Sequence, residues 1–248
     1  MNINGIQIHE LPDLKNPLLI AGFDGWGNAL KISSGMATYL IRTFKAQRFA
    51  ELDPDVFFRY DEKRPVVNIE EGKPKSLSSP GGTFYAAQTA PDGRDLVILK
   101  ADEPNLRWFG FVDELLNLCN RLHIETIITL GSMYDHVLHT DRILSAVASD
   151  ADLSAMLKQK GVNSISYQGP SAIHSSIHSE ALKRNIACMS LWCHCPYYLQ
   201  GATLFGLLSQ LGSLLSSVGE FNLDTTELET SWKELNSQIG LWTKLCPK

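Results

Sequence analysis

What most constrains this chain is a recurring order: a short apolar run, a polar or glycine-rich loop, then a helical pattern, with no linker and no internal repeat. Pro17-Leu-Leu-Ile-Ala-Gly-Phe23 has the unbroken apolar character of a strand buried on both faces. It breaks at Gly22-Phe-Asp-Gly-Trp-Gly27, and the helix predicted next buries Ile32, Met36, Leu40 and Phe44 at steps of four, with Asn28 as its N-cap. Asp95-Leu-Val-Ile-Leu-Lys100 is a second strand, followed by the loop Ala101-Asp-Glu-Pro104 and a helix carrying Phe111, Leu115 and Leu118. Thr126-Ile-Ile-Thr-Leu130 is a third, with Gly131 to His136 as its loop. Ile186 to Trp192 is a fourth, running into Cys193-His-Cys-Pro-Tyr-Tyr198. Strands alternating with crossover helices imply an α/β fold around a largely parallel sheet.

Two segments depart from that order. From about Gln47 to Thr89 the chain is rich in β-branched and aromatic residues with Pro and Gly punctuation, which predicts antiparallel strands or a hairpin extending the sheet. At the end come a leucine-striped helix, about Gly201 to Val218, and a second that opens on Asp224-Thr-Thr-Glu227, close to a capping box. The latter sets Leu228, Trp232, Leu235, Ile239, Trp242 and Leu245 on one seam, facing its own core or, through Trp232, Leu235, Ile239 and Trp242, a second subunit. The expected organisation is one α/β domain over 1–248, with a core over 1–218 and an amphipathic helix over 224–245.

Composition narrows the function classes. With 22 basic and 27 acidic residues the net charge is −5, which offers no electrostatic footprint for nucleic acid or anionic membrane. No apolar run reaches the ~20 residues of a membrane span, and Met1 to Asp13 lacks the pattern of a secretory signal, so a cytoplasmic protein is expected. The five cysteines form no disulfide framework. Within Cys193-His194-Cys195, strand alternation would put both sulfurs on one face and the imidazole on the other, and no second ligand pair completes a zinc site. No metal or cofactor is expected.

Ligands of parallel α/β sheets gather at the carboxyl ends of the strands. The Gly22–Asn28 loop has its glycines as G-x-x-G-x-G, the reverse of the dinucleotide fingerprint. It reads either as an anion-holding helix start or as a tight turn with Trp26 packed over it, and the second takes precedence. Asp102 to Trp108 supplies two carboxylates and Arg107; a capping Asp with a paired Arg is the simpler reading, an Arg107 clamp with Glu103 as base the sharper one. His136 and His139 lie between Asp135 and Asp141 without the Glu of a metalloprotease motif. His174 and His178, four apart, predict a solvated helix face before a metal pair. Tyr197 and Tyr198 are phenols fit to line a pocket or an interface. No G-x-S-x-G elbow is present.

Taken in order, Gly22-Phe-Asp-Gly-Trp-Gly-Asn-Ala29, Glu103-Pro104 with Arg107-Trp108, Leu130-Gly131 with His139-Thr140, Tyr167-Gln-Gly-Pro170 and Pro196-Tyr-Tyr-Leu199 resemble the proteasome assembly chaperone two family, from about Leu11 to Leu245. The resemblance implies a three-layer α/β/α fold similar to nucleoside phosphorylases. It also implies a homo-oligomer, possibly a trimer, acting as an interaction or assembly protein with an unknown protein partner rather than as an enzyme. Its binding rim would comprise Asp24, Trp26, Asn28, Glu103, Arg107, Trp108, His139, Tyr197 and Tyr198. The enzymatic alternative is a phosphorylase-like or hydrolase-like site for a small anionic or nucleoside-type ligand, with Asp24, Glu103, Arg107 and His139 as its chemistry. A third label carried by prokaryotic members, ATP-grasp carboxylate-amine ligase, needs acidic metal ligands and a phosphate-covering loop that the sequence does not place. Two departures stand out. Gly169-Pro-Ser-Ala172 replaces Gly-Pro-Thr-Gly, and Cys246-Pro-Lys248 replaces the hydrophobic-Tyr-any tail of proteasome-binding relatives, so tail docking is not expected.

Overall fold

A computed structural model describes residues 2–3 and 5–245, with side chains described from 5 to 239. The elements in chain order are β1 (Asn2–Ile3), β2 (Ile6–Ile8), β3 (Leu18–Asp24), α1 (Ile32–Thr43), β4 (Gln47–Leu52), α2 (Pro54–Phe57), β5 (Val66–Glu70), β6 (Lys73–Ser78), β7 (Gly82–Ala87), β8 (Leu96–Asp102) and α3 (Trp108–Arg121). They continue with β9 (Thr126–Asp135), β10 (Leu144–Ala148), α4 (Ala151–Gln159), β11 (Asn163–Ser164), α5 (Ile173–Lys183), β12 (Ala187–Pro196), α6 (Phe205–Gly219) and α7 (Thr226–Leu245). Ten strands form one sheet in the order β1-β2-β4-β7-β8-β3-β9-β12-β10-β11. Its centre, β8-β3-β9-β12, is parallel. The flanks that attach to it, β7 on β8 and β10 on β12, are antiparallel.

Alternation along β3 sorts the core into two layers. Leu18 and Ile20 face α1, α6 and α7, while Leu19, Ala21 and Phe23 face α3 and α5. Helices on both faces of a parallel centre make the three-layer α/β/α arrangement. Leu228 and Trp232 of α7 belong to the first layer. Trp232 therefore packs on its own chain, beneath Arg142 and beside His139, rather than lying free at a subunit seam. Leu235 is partly buried against the same core; the side chain of Trp242 lies outside the described residues. Asp224 accepts from Thr226 N at 2.9 Å, as a capping residue would, but Glu227 turns to Arg42 instead of closing the box.

Three sequence expectations change. Gly131 to Asp135 is strand, not loop, and so is Cys193 to Pro196: β9 and β12 stay paired up to Asp135 opposite Pro196. Gly131 looks like a turn residue but clears the way for its register partner Trp192, whose Cε3 would lie 2.6 Å from a Cβ there. In the 47–89 stretch β4 and β7 do extend the sheet, whereas β5 and β6 form a separate hairpin with Val66, Val67, Ile69 and Leu77 exposed. Finally, Asn28 is not the formal N-cap of α1, because a short turn over Ala29–Lys31 intervenes. Its amide oxygen still accepts from Ser34 N at 3.3 Å, satisfying a first-turn donor from farther back.

No helix among the described residues is long and apolar enough to cross a membrane.

Candidate functional site

The loops after β3, β8, β9 and β12 meet at one rim of the sheet, and their side chains fall into separate networks. The loop leaving β3 is fixed at several points. Glu103 N donates to Asp24 O at 3.0 Å, and Ser132 N donates to Gly27 O at 2.8 Å. Asn28 Nδ2 donates to Asp24 Oδ1 and to Ser34 Oγ, both at 2.9 Å. Lys63 spans the carboxylates of Asp24 and Asp102, and Asp102 also accepts from Gly81 N at 2.8 Å. Asp102 thus anchors a neighbouring loop and does not cap α3, whose N-cap is Arg107 in a left-handed conformation (φ 51°) without a side-chain cap.

Glu103 is the latch of this rim. One oxygen accepts from Trp26 N at 3.0 Å and the other from Ile173 N, the first residue of α5, at 2.8 Å. Gly25 has no Cβ because Glu103 fills that space. The anion that a glycine-rich turn and a helix start could bind is here the chain's own carboxylate. With both oxygens engaged by backbone donors, Glu103 acts as a positioning group rather than a free base.

Held this way, Trp26 points outward: it is 64% exposed. The expectation of an aromatic packed over the turn is overturned. What lies beneath Gly27 is Trp192 together with His174, so the volume Trp26 would have covered is already filled. His174 and His178 also reverse their reading. Both are buried on the inner face of α5, and His174 packs edge-on to Phe23 with ring centroids 5.6 Å apart. Burial pushes His174 down to about 4 and lowers His178 as well, so both imidazoles are neutral core groups near pH 7.

A second network lies at the ends of β9 and β12. Tyr134 and Tyr197 stack at 5.3 Å with His136 beside them. Tyr198 Oη meets both the backbone N and the Nδ1 of His139, at 2.8 and 2.7 Å. Behind His139 sit Trp232 and Arg142, the latter paired in a fork with Glu229. Tyr197 and Tyr198 are 52% and 57% exposed. Trp108 is half-buried, its indole donating to Pro104 O, and Arg107 is exposed. Asp24 and Glu103 therefore share the first network and His139 belongs to the second.

Sequence reasoning missed one constellation. His194 Nδ1 lies 2.7 Å from Asp135 Oδ2, and its Nε2 lies 2.8 Å from Ser145 Oγ. The order is that of a Ser-His-Asp triad, but the burial is inverted: Ser145 is 2% exposed, whereas the Asp135 carboxylate is 43% exposed. A hydrolytic triad keeps its acid inside and its nucleophile open to substrate. Here the hydrogen bond from His194 holds the Asp135 carboxyl below the usual carboxylate range, and the trio ties β9, β12 and β10 together. Strand alternation did place Cys193 and Cys195 on one buried face and His194 on the other. Among the described residues no group of three His, Cys, Asp or Glu side chains could hold a metal ion.

The model of the PAC2 family matches residues 19–242. A PAC2 family protein of Streptomyces avermitilis is similar at 25% identity and a TM-score of 0.82, over 91% of this chain and 95% of that one. A proteasome-assembly chaperone homologue of Mycobacterium tuberculosis gives 24% and 0.83, over 90% and 94%. PbaB of Pyrococcus furiosus, an archaeal proteasome activator, gives 20% and 0.71, over 96% and 98%. No curated protein matches the chain.

Proposed function

We propose that this chain, which belongs to the PAC2 family, is a cytoplasmic interaction protein that self-assembles and receives a protein partner on the rim carrying Trp26, Tyr197 and Tyr198. One observation carries the reading: Trp26 stands in solvent on a backbone pinned by Glu103, Asn28 and Ser132. An exposed aromatic carried on an already ordered backbone leaves less to be ordered on binding, which suits a binding hot spot. Tyr197 and Tyr198 extend the same exposed aromatic character to the next strand ends. The names of similar proteins, an assembly chaperone homologue and a proteasome activator, fit a partner-binding role. The described cysteines are buried and free, which suits a reducing compartment.

The test has two readouts. Sedimentation velocity at micromolar concentration should return an oligomer; a monomer removes the self-assembly half. A photo-crosslinking amino acid at Tyr198 should join the chain to one other polypeptide in the cells that express it, and the same group at Phe109, exposed on the outer start of α3, should not. Equal crosslinking from both positions would remove the rim from the proposal.

A further inference from the structure

We infer that two copies of this chain join edge to edge through β5, in an antiparallel pair centred on Asn68, so that the β5–β6 hairpin becomes half of a four-stranded sheet. The hairpin stands apart from the main sheet, and every residue of both its strands is exposed. A two-stranded ribbon is marginal in water and gains stability from further strands or a covering layer. Its side chains are nevertheless sorted by face. Val67 lies opposite Leu77 and Ile69 opposite Pro74, which gathers apolar groups on one side. The other side carries Asn68 opposite Ser76 and Glu70 opposite Lys73, with Val66 at its base.

The two edges of the hairpin are finished differently. β6 carries Lys73, Pro74 and Lys75, and a bulge leaves Lys75 without an opposite residue. Lysines, a proline and a bulge are the devices that keep an edge from accepting another strand. β5, Val66-Val-Asn-Ile-Glu70, has none of them, so the backbone N–H and C=O groups on its outer side are left open. The order of β5 also suits its own reverse, which is what a two-fold contact requires. Paired antiparallel about Asn68, Val67 of each copy meets Ile69 of the other on the apolar face. The two Asn68 amides, each able to donate and accept, meet on the opposite face. Glu70, the only charge in β5, falls opposite Val66, so no like charges are set against each other. The inference supplies a seam for the self-assembly reading and rests on it.

The test is a charge pair at the two-fold position, read by sedimentation velocity of the full chain. Asn68→Lys alone and Asn68→Glu alone each set like charges opposite one another and should weaken self-association by about tenfold or more. An equal mixture of the two variants should restore it. Asn68→Cys should give a disulfide-linked dimer on oxidation with diamide, because directly opposed residues bring their Cα atoms within about 4.5–5.5 Å. Ser76→Cys on the guarded strand, and the unaltered chain, should not. An oligomer that Asn68→Lys leaves intact, a mixture no more associated than either variant alone, or equal crosslinking through Ser76→Cys would overturn the inference and leave self-assembly standing. A monomeric unaltered chain would remove both.

Discussion

The parallel centre of the sheet and its 47–87 wing share one hydrogen-bonded surface but are finished differently. In the centre, helices cover both faces, and β3 is buried from Leu18 to Phe23 without a break. In the wing one face is covered along its length, and the other only near Ala87, which packs on the first layer. Phe84 packs beneath with Phe49, ring centroids 6.1 Å apart, while Thr83 and Tyr85 look into an open cleft beside α1. The β5–β6 hairpin leaves the sheet altogether and exposes its apolar residues. Stability is concentrated where two layers close on the sheet, and surfaces free for recognition appear where the second layer is missing.

That contrast is open to measurement. The largest difference should separate the covered and uncovered parts of the wing itself: Phe84→Ala should cost about 3–5 kcal/mol in denaturant unfolding, whereas Ile69→Ala on the hairpin should stay within about 0.5 kcal/mol. Similar values for the two would erase the distinction. Next is the pH response of the covered centre. The folded state keeps His174 neutral down to about pH 4, while the unfolded chain takes up the proton near pH 6.5. The neutral-histidine contribution is therefore complete above pH 6.5 and is lost as pH falls toward 4, up to about 3 kcal/mol. His174→Phe should flatten that part of the stability profile; an unchanged slope would place the acid sensitivity elsewhere. Glu103→Ala, which frees Trp26 N and Ile173 N together, should cost about 1–3 kcal/mol and loosen the rim, with faster amide exchange at residues 25–27 as its signature. The smallest effect is a gain: Gly35→Ala should add about 0.5–1 kcal/mol, because helix propensity improves and the cleft has room.

The same division decided what could be read in the amino-acid order. Continuous apolar runs announced β3, β8 and the first halves of β9 and β12, since being covered on both faces leaves little choice of residue. The second half of β9 is hidden because Gly131, which makes room for Trp192, imitates a turn. His174 and His178 were misread for a related reason: a serine-rich helix looks solvated until the sheet it lies on is known. Trp26 was misread in the opposite direction, since the space an aromatic would fill is taken by Trp192, distant in sequence. The Asp135–His194–Ser145 trio joins three strands and leaves no local spacing to detect. Seeing that Gly25 faces a carboxylate in the next strand's loop likewise needs the fold.

On the proposed function, the Trp26 side chain serves a partner and not the core. This is tested most directly by the melting temperature of Trp26→Ala measured beside its capture of the polypeptide crosslinked at the rim. The melting temperature should shift by the equivalent of less than about 0.5 kcal/mol, with capture lost. A stability loss of about 3–5 kcal/mol, as for an enclosed tryptophan, with capture retained would contradict it.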